Sequence, residues 1–260
     1  MKSKDCAPMQ QHRKALIDKI KQLGQVHSVW NVFEHFLALS AISISNAVDQ
    51  IHFEEREKQY FNIINQYSKQ ELDLFPSMLA DLVMELESFA DHPQDVLGEI
   101  FHELELHDKY KGQFFTPNCI SNLMGSISIS EKEKMIDENG YVTLNEPCSG
   151  SGTLVLGFAN AMRNKKYNYQ KQLLVTAVDV EIKCVYMTYI QLALYGIPAV
   201  VVHGDTIAVK EWSHWYTPMY IANGFKFQNR VLTEPFDKSK LYHEMPAMQT
   251  IKSYGQISLF

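Results

Sequence analysis

The stretch Glu146-Pro147-Cys148-Ser149-Gly150-Ser151-Gly152-Thr153-Leu154 constrains this chain more than any other. Tyr141, Val142 and Leu144 lead into it with β-prone side chains, and Leu154, Val155, Leu156, Phe158 and Ala159 follow with a helical run. That order predicts a strand, a tight small-residue loop, then a helix. Gly150 and Gly152 permit positive φ and let a ligand approach the backbone closely. The first N–H groups of the new helix have no partner within it and face a polar or anionic ligand. A Gly-Ser-Gly loop also occurs as a plain turn, so its meaning depends on its surroundings.

The surroundings alternate. Short β-rich runs at Tyr141 to Leu144, Leu173 to Val180 and Ala199 to His203 are separated by helical patterns at Thr153 to Asn164 and Ile182 to Tyr195. Such alternation predicts βαβ units and a parallel sheet. The first hundred residues read as helical instead. Trp30, Phe33, Phe36, Leu37, Ala41 and Ile44 recur at three- and four-residue intervals, as do Phe75, Met78, Leu79, Leu82, Val83, Leu86 and Phe89. A third helix is expected from Asp95, its N-cap, to His107. His52 to Tyr67 is a charged, aromatic-studded segment.

Bulk properties exclude some classes. No apolar run reaches the roughly 18 uncharged residues that span a bilayer, and the N-terminal stretch lacks the apolar centre of a signal peptide. Cys6, Cys119, Cys148 and Cys184 are scattered, with neither metal-ligand pairs nor a disulfide framework, so a cytoplasmic protein without a metal is expected. The net charge of −6 is unevenly spread. Residues 1–110 hold 10 basic against 18 acidic side chains, and residues 111–260 hold 14 against 12. Contact with a polyanion is therefore expected from the C-terminal part.

Upstream of the glycine loop stands Gly112-Gln113-Phe114-Phe115-Thr116-Pro117. The two together resemble motifs X and I of the N6-adenine-specific DNA methyltransferases, in the type I restriction–modification methylase-subunit pattern. The similarity covers roughly residues 95–207, including Asp95-Val96-Leu97-Gly98 and Leu192-Ala193-Leu194-Tyr195-Gly196. It implies an α/β fold: a Rossmann-like S-adenosylmethionine-dependent methyltransferase core with a parallel-rich sheet and an α-helical N-terminal domain. The expected division is 1–110 helical, 111–232 core and 233–260 tail. The cofactor implied is S-adenosylmethionine, held by Phe115, Thr116, Pro117, Glu146, Pro147, Ser149, Gly150, Ser151, Gly152, Asp179, Val180, Asp205 and Thr206. Asp179 ends the second β-run, where an acid accepts from ribose hydroxyls; a helix N-cap is its competing role. Asp205, in His203-Gly204-Asp205-Thr206, resembles the acid that contacts the cofactor's adenine, with a plain turn as the alternative.

The family's catalytic (N/D/S)PP(Y/F/W) tetrapeptide is absent. The nearest candidates are Thr217-Pro218-Met219-Tyr220 and Thr233-Glu234-Pro235-Phe236. Thr217, Pro218 and Tyr220 are the expected degenerate form, which would orient a flipped-out adenine. Trp212 and Trp215, flanking His214, line a base-binding cleft or plug the sheet edge. The resemblance implies methylation of adenine N6 in DNA. The alternative is a catalytically inactive methyltransferase-like subunit that binds DNA or a sliding clamp. No target-recognition domain fits in the 53 residues after Ile207, so a separate specificity subunit is an expected partner. The end, Gln256-Ile257-Ser258-Leu259-Phe260, resembles a bacterial sliding-clamp-binding pentapeptide. In that reading Gln256, Leu259 and Phe260 make the contacts.

Overall fold

A computed structural model describes residues 6–104, 115–130 and 132–224. Outside them lie both expected domain boundaries, the tetrapeptide at 233–236, and Gln256, Leu259 and Phe260. Residues 1–223 form one compact unit. Its core is a continuous hydrophobic cluster from Leu16 through Phe36, Phe101 and Val155 to Tyr189 and Trp215.

The helical portion comprises α1 (Cys6–His27), α2 (Val29–Asn46), α3 (Phe53–Ile64), α4 (Lys69–Leu72), α5 (Leu74–Glu87) and α6 (Val96–Glu103). Ser28 caps α2 by accepting from the Asn31 N–H at 3.3 Å, and Asp95 caps α6 through the Gly98 N–H at 2.8 Å. Helix α2 buries Val32, Phe33, Phe36, Leu37, Ala41 and Ile42. At roughly 1.5–3 kcal/mol for each large apolar side chain, this burial outweighs anything intrinsic propensity contributes.

The second portion runs α7 (Asn118–Ser130), α8 (Glu133–Asn139), β1 (Val142–Glu146), α9 (Thr153–Asn164), α10 (Tyr169–Gln172), β2 (Leu173–Asp179), α11 (Ile182–Leu194), β3 (Ala199–Asp205), β4 (Lys210–Tyr216) and α12 (Pro218–Ala222). The described sheet has the order β1-β2-β3-β4. The first three strands are parallel, with Glu146 opposite Ala177 and Asp179 opposite His203, while β4 runs antiparallel to β3. This is the α/β, parallel-rich architecture that the alternating runs predicted. Leu173, Leu174, Val175, Ala177, Ala199, Val201 and Val202 are buried, the near-continuous apolar pattern of covered parallel strands.

Helix α11 packs on β2 and β3 and, beyond them, against α2, α5 and α6. Helix α9 packs on β1 and against α7. A side-chain carbon at Gly157 would run into the Ser121 carbonyl, and one at Gly125 into the Gly157 carbonyl, so this glycine pair brings α7 and α9 to backbone contact. A buried guanidinium ties the helices to the sheet. Arg56 donates to Ser45 Oγ at 2.5 Å, to Asp49 Oδ2 at 2.9 Å and to the His214 carbonyl at 2.6 Å, and lies 4.1 Å from the Trp215 ring centre. Burial would raise the Asp49 carboxyl, but hydrogen bonds from His52 and Arg56 prevail and hold it below its ordinary range. Trp215 is thus the sheet-edge plug among the sequence alternatives; Trp212 is not. Among the described residues no helix is long and apolar enough to cross a membrane.

Candidate functional site

In a parallel sheet with helical crossovers, the strands' C-terminal ends form the rim where ligands lie. Here that rim holds Glu146, Asp179 and Asp205, the last residues of β1, β2 and β3. Gly150 (φ 56°) and Gly152 (φ 94°) both use the left-handed region, where a side chain would be strained. Asp179 grips the loop: its Oδ2 accepts from the Gly150 N–H at 2.8 Å and its Oδ1 from the Glu181 N–H at 2.9 Å. The Ser149 N–H donates to the Val178 carbonyl at 2.9 Å, and Thr188 Oγ1 donates to the Gly150 carbonyl at 3.0 Å. Phe115 lies over the loop, since a side-chain carbon on Gly150 would come within 3.0 Å of its ring. Phe115 also packs on Phe101 and His102, with ring centres 5.1 and 5.4 Å apart. Thr116 and Pro117 carry the chain from there into α7.

A second carboxylate supports the loop from below. Asp95 is almost fully buried; its Oδ1 accepts from the Gly98 N–H at 2.8 Å and Gln191 Nε2 at 2.9 Å. Its Oδ2 accepts from Thr153 Oγ1 at 2.5 Å and from the Ser151 hydroxyl. Gln191 also donates to the Ser151 carbonyl at 2.8 Å and accepts from the Val96 and Leu97 N–H groups at 2.8 and 3.1 Å. Every polar group in this cluster has a partner, which is the condition for a buried network to rigidify a structure. Ser151 therefore turns its hydroxyl inward to Asp95 rather than outward to a ligand. Asp95 was legible only as a helix cap. Gln191 and Thr188 escaped notice, although they are a polar pair three residues apart among the apolar residues from Val185 to Leu194.

Burial pushes the Glu146 carboxyl up; the Cys148 N–H opposes this, and the neighbouring Asp179 charge adds to it. Burial likewise pushes Asp179 up, against the N–H bonds from Glu181 and Gly150. The pair forms an acceptor-rich, anionic face beside the glycine loop, suited to hydroxyl donors and to a cation. Thr206 Oγ1 donates to the Pro147 carbonyl at 2.7 Å, joining the β3 end to this loop. Asp205 Oδ1 accepts from the Ile207 and Ala208 N–H groups, both at 2.9 Å, so this oxygen shapes its own turn. Val180 is exposed at the rim and its carbonyl lies 3.2 Å from His203 Nε2.

Thr217, Pro218 and Tyr220 are not at this rim. Strand β4 returns the chain to the opposite edge of the sheet. There the Thr217 hydroxyl donates to the Ile197 carbonyl at 2.8 Å and accepts from the Ala199 N–H at 2.9 Å, at the beginning of β3. Thr217 and Tyr220 are buried, and Thr217 caps α12. The expectation that this tetrapeptide orients a substrate base is overturned by its placement. A cavity of about 410 Å³, lined by Arg163, Tyr169, Gln170 and Tyr195 among others, also lies toward the N-terminal ends of β2 and β3. Concave volume and chemistry part company here. The glycine loop and paired acids mark the C-terminal rim as the site, and the cavity contains neither.

A glycine loop after the first of three parallel strands and an acid at the end of the second are the arrangement of a nucleotide-type cofactor site in α/β sheets. The N-6 DNA Methylase family model matches residues 93–250, and the chain belongs to that family. It is similar to the type I restriction enzyme MpnII methylase subunit of Mycoplasma pneumoniae, with 28% identity over 152 residues, 55% of this chain. Those residues are 26% of the relative, so the chain spans about a quarter of its length. A Listeria monocytogenes crystal structure described as a class I S-adenosylmethionine-dependent methyltransferase overlaps 84% of this chain and 69% of its own. At a TM-score of 0.43 and 13% identity, that likeness is too loose to carry fold or function.

Proposed function

We propose that the chain binds S-adenosylmethionine at the C-terminal rim and methylates adenine N6 in DNA. The single observation behind this is the glycine loop clasped between Phe115 and Asp179, in a member of the N-6 DNA Methylase family. The residues present fit the cofactor. Gly150 and Gly152 supply the positive-φ turns that seat the loop against Phe115 and Thr188 at the strand ends, and Asp179 keeps acceptor capacity on both oxygens for ribose hydroxyls. Glu146 and Asp179 supply negative charge opposite a sulfonium. When bound, the cofactor supplies an electrophilic methyl group. Phe115 excludes water from the loop, and Thr188 fixes the Gly150 carbonyl direction.

The adenine amine is a weak nucleophile because its lone pair is delocalised into the ring. With Thr217 excluded, the remaining candidate acceptor is Glu234 in Thr233-Glu234-Pro235-Phe236, with Phe236 to stack on the base. These residues fall within the family match, though outside the described structure. The relative is described as one subunit of a type I restriction enzyme, which supports a separate chain as the source of target recognition. The test is transfer of labelled methyl into DNA, with nucleoside analysis for N6-methyladenine. Glu234→Ala is expected to slow transfer by about tenfold or more, with cofactor affinity retained. Cofactor binding with no transfer, alone or with a specificity chain, would leave the inactive binding-subunit reading in its place.

The raised carboxyls predict opposite pH responses. Cofactor affinity requires the ionised pair, so it weakens on acidification, beginning above the ordinary carboxylate range. Stability of the free protein responds the other way. A folded-state acid raised above its unfolded value binds more protons when folded, so its contribution is full below the unfolded value. That contribution is lost as pH rises through the raised one. Calorimetric titrations and melts across this window should slope oppositely; parallel slopes would remove Glu146 and Asp179 from the binding face.

A further inference from the structure

The β3–β4 hairpin carries large apolar side chains into solvent at the rim, with no role in holding the fold. Ile207 is 96% exposed, Val209 87% and Trp212 52%, and Val180, just past β2, is 56% exposed beside them. Two features show that this tip is held in shape. Asp205 accepts from two successive N–H groups of the turn, and Thr206 pins it to the Pro147 carbonyl of the glycine loop. Val209 adopts φ 52°, which a β-branched residue avoids.

The strand pairing is irregular at one place. His203 lies opposite Ser213 and Gly204 opposite Glu211, which makes Trp212 the extra residue of a β-bulge. A bulge re-aims a side chain. Gly204 permits this one, because a side-chain carbon there would come 2.6 Å from the Lys210 carbonyl. The indole ends beside His203, ring centres 4.6 Å apart, and His203 in turn reaches the Val180 carbonyl. Glu211, the residue before Trp212, is engaged with His214 at 2.9 Å.

We propose that this hairpin contacts the bases of DNA: Trp212 stacks on a base beside the target adenine, and Ile207 and Val209 wedge into the stack. The proposal rests on the methylation reading above. Any acceptor of a methyl group from a cofactor held at this rim would have to come to the rim, and the tip is bonded to the glycine loop there. Aromatic faces and apolar wedges suit unstacked bases and read little sequence, which agrees with specificity coming from another chain.

The test uses the full chain with S-adenosylhomocysteine and a short labelled DNA duplex carrying a mispaired adenine, measured by anisotropy of the duplex. Trp212→Ala is expected to weaken DNA binding by about tenfold or more, while Trp212→Phe stays within a few-fold. Val209→Gly relieves the positive φ, so it should melt no lower than the parent and still bind DNA more weakly. Cofactor affinity should be unchanged in all three. Equal DNA affinity for Trp212→Ala and the parent, no DNA binding by the parent, or tighter binding to RNA of the same sequence would each overturn the proposal. The two readings fail separately. DNA binding that depends on Trp212 without methyl transfer sinks the activity alone, and transfer unaffected by Trp212→Ala sinks the hairpin alone.

Discussion

Asp95→Ala is expected to lower the stability of this protein by about 3 kcal/mol, because it takes the charged acceptor away from several buried neutral donors. Four donors converge on that carboxylate, from Gly98, Gln191, Ser151 and Thr153. Gln191 can still donate to the Ser151 carbonyl, and the Ser151 and Thr153 hydroxyls can turn toward each other from 3.1 Å. The Gly98 N–H has no such recourse, so about 1 kcal/mol of helix capping is lost outright. For a unit of this size the melting temperature should fall by roughly 10 °C. Asp95→Asn keeps the cap but turns a donor toward the two hydroxyls, and should fall between the parent and Asp95→Ala. A chemical-denaturation series on the three proteins decides it. If Asp95→Ala melts with the parent, the network does not hold α6 to the glycine loop.

The site was legible where chemistry and local structure coincide. Gly150, Gly152 and Asp179 follow β-rich runs, and the requirement for positive φ or an acid at a strand end is visible in the residue type alone. The helices at Trp30, Phe75 and Asp95 showed because each buries a full apolar stripe. Helix α3 did not, since only Arg56 and Ile63 of its twelve residues are buried and so little burial leaves no period to read. Strand β4 escaped for a related reason. Its bulge at Trp212 breaks the two-residue alternation, and most of its side chains are exposed or half-exposed. That omission explains the misplaced tetrapeptide. An unseen antiparallel strand carries Thr217 from the cofactor rim to the other edge of the sheet, a reversal no local motif reveals.

Asp179→Ala should separate function from stability in the opposite sense to Asp95→Ala. Both Asp179 oxygens already accept backbone N–H groups, from Gly150 and Glu181, and both remain available to ribose hydroxyls. Removing the side chain therefore takes away the ribose acceptors and the restraint on the glycine loop together. Charged hydrogen bonds contribute about 1.5–3 kcal/mol each, so two of them correspond to a loss of roughly two to four orders of magnitude in cofactor affinity. The folded protein should suffer far less. Burial raises this carboxyl, so its ionised form is already disfavoured by desolvation, and deleting it relieves that penalty while two N–H groups at a half-open rim turn to water. The expected result is a melting temperature within a few degrees of the parent, with S-adenosylmethionine binding no longer measurable by calorimetry. Asp179→Asn should lose affinity as well, because its amide must turn an N–H toward one of the two backbone donors. Retained affinity in either variant would move the ribose contact elsewhere on the rim and leave Asp179 as a loop anchor alone.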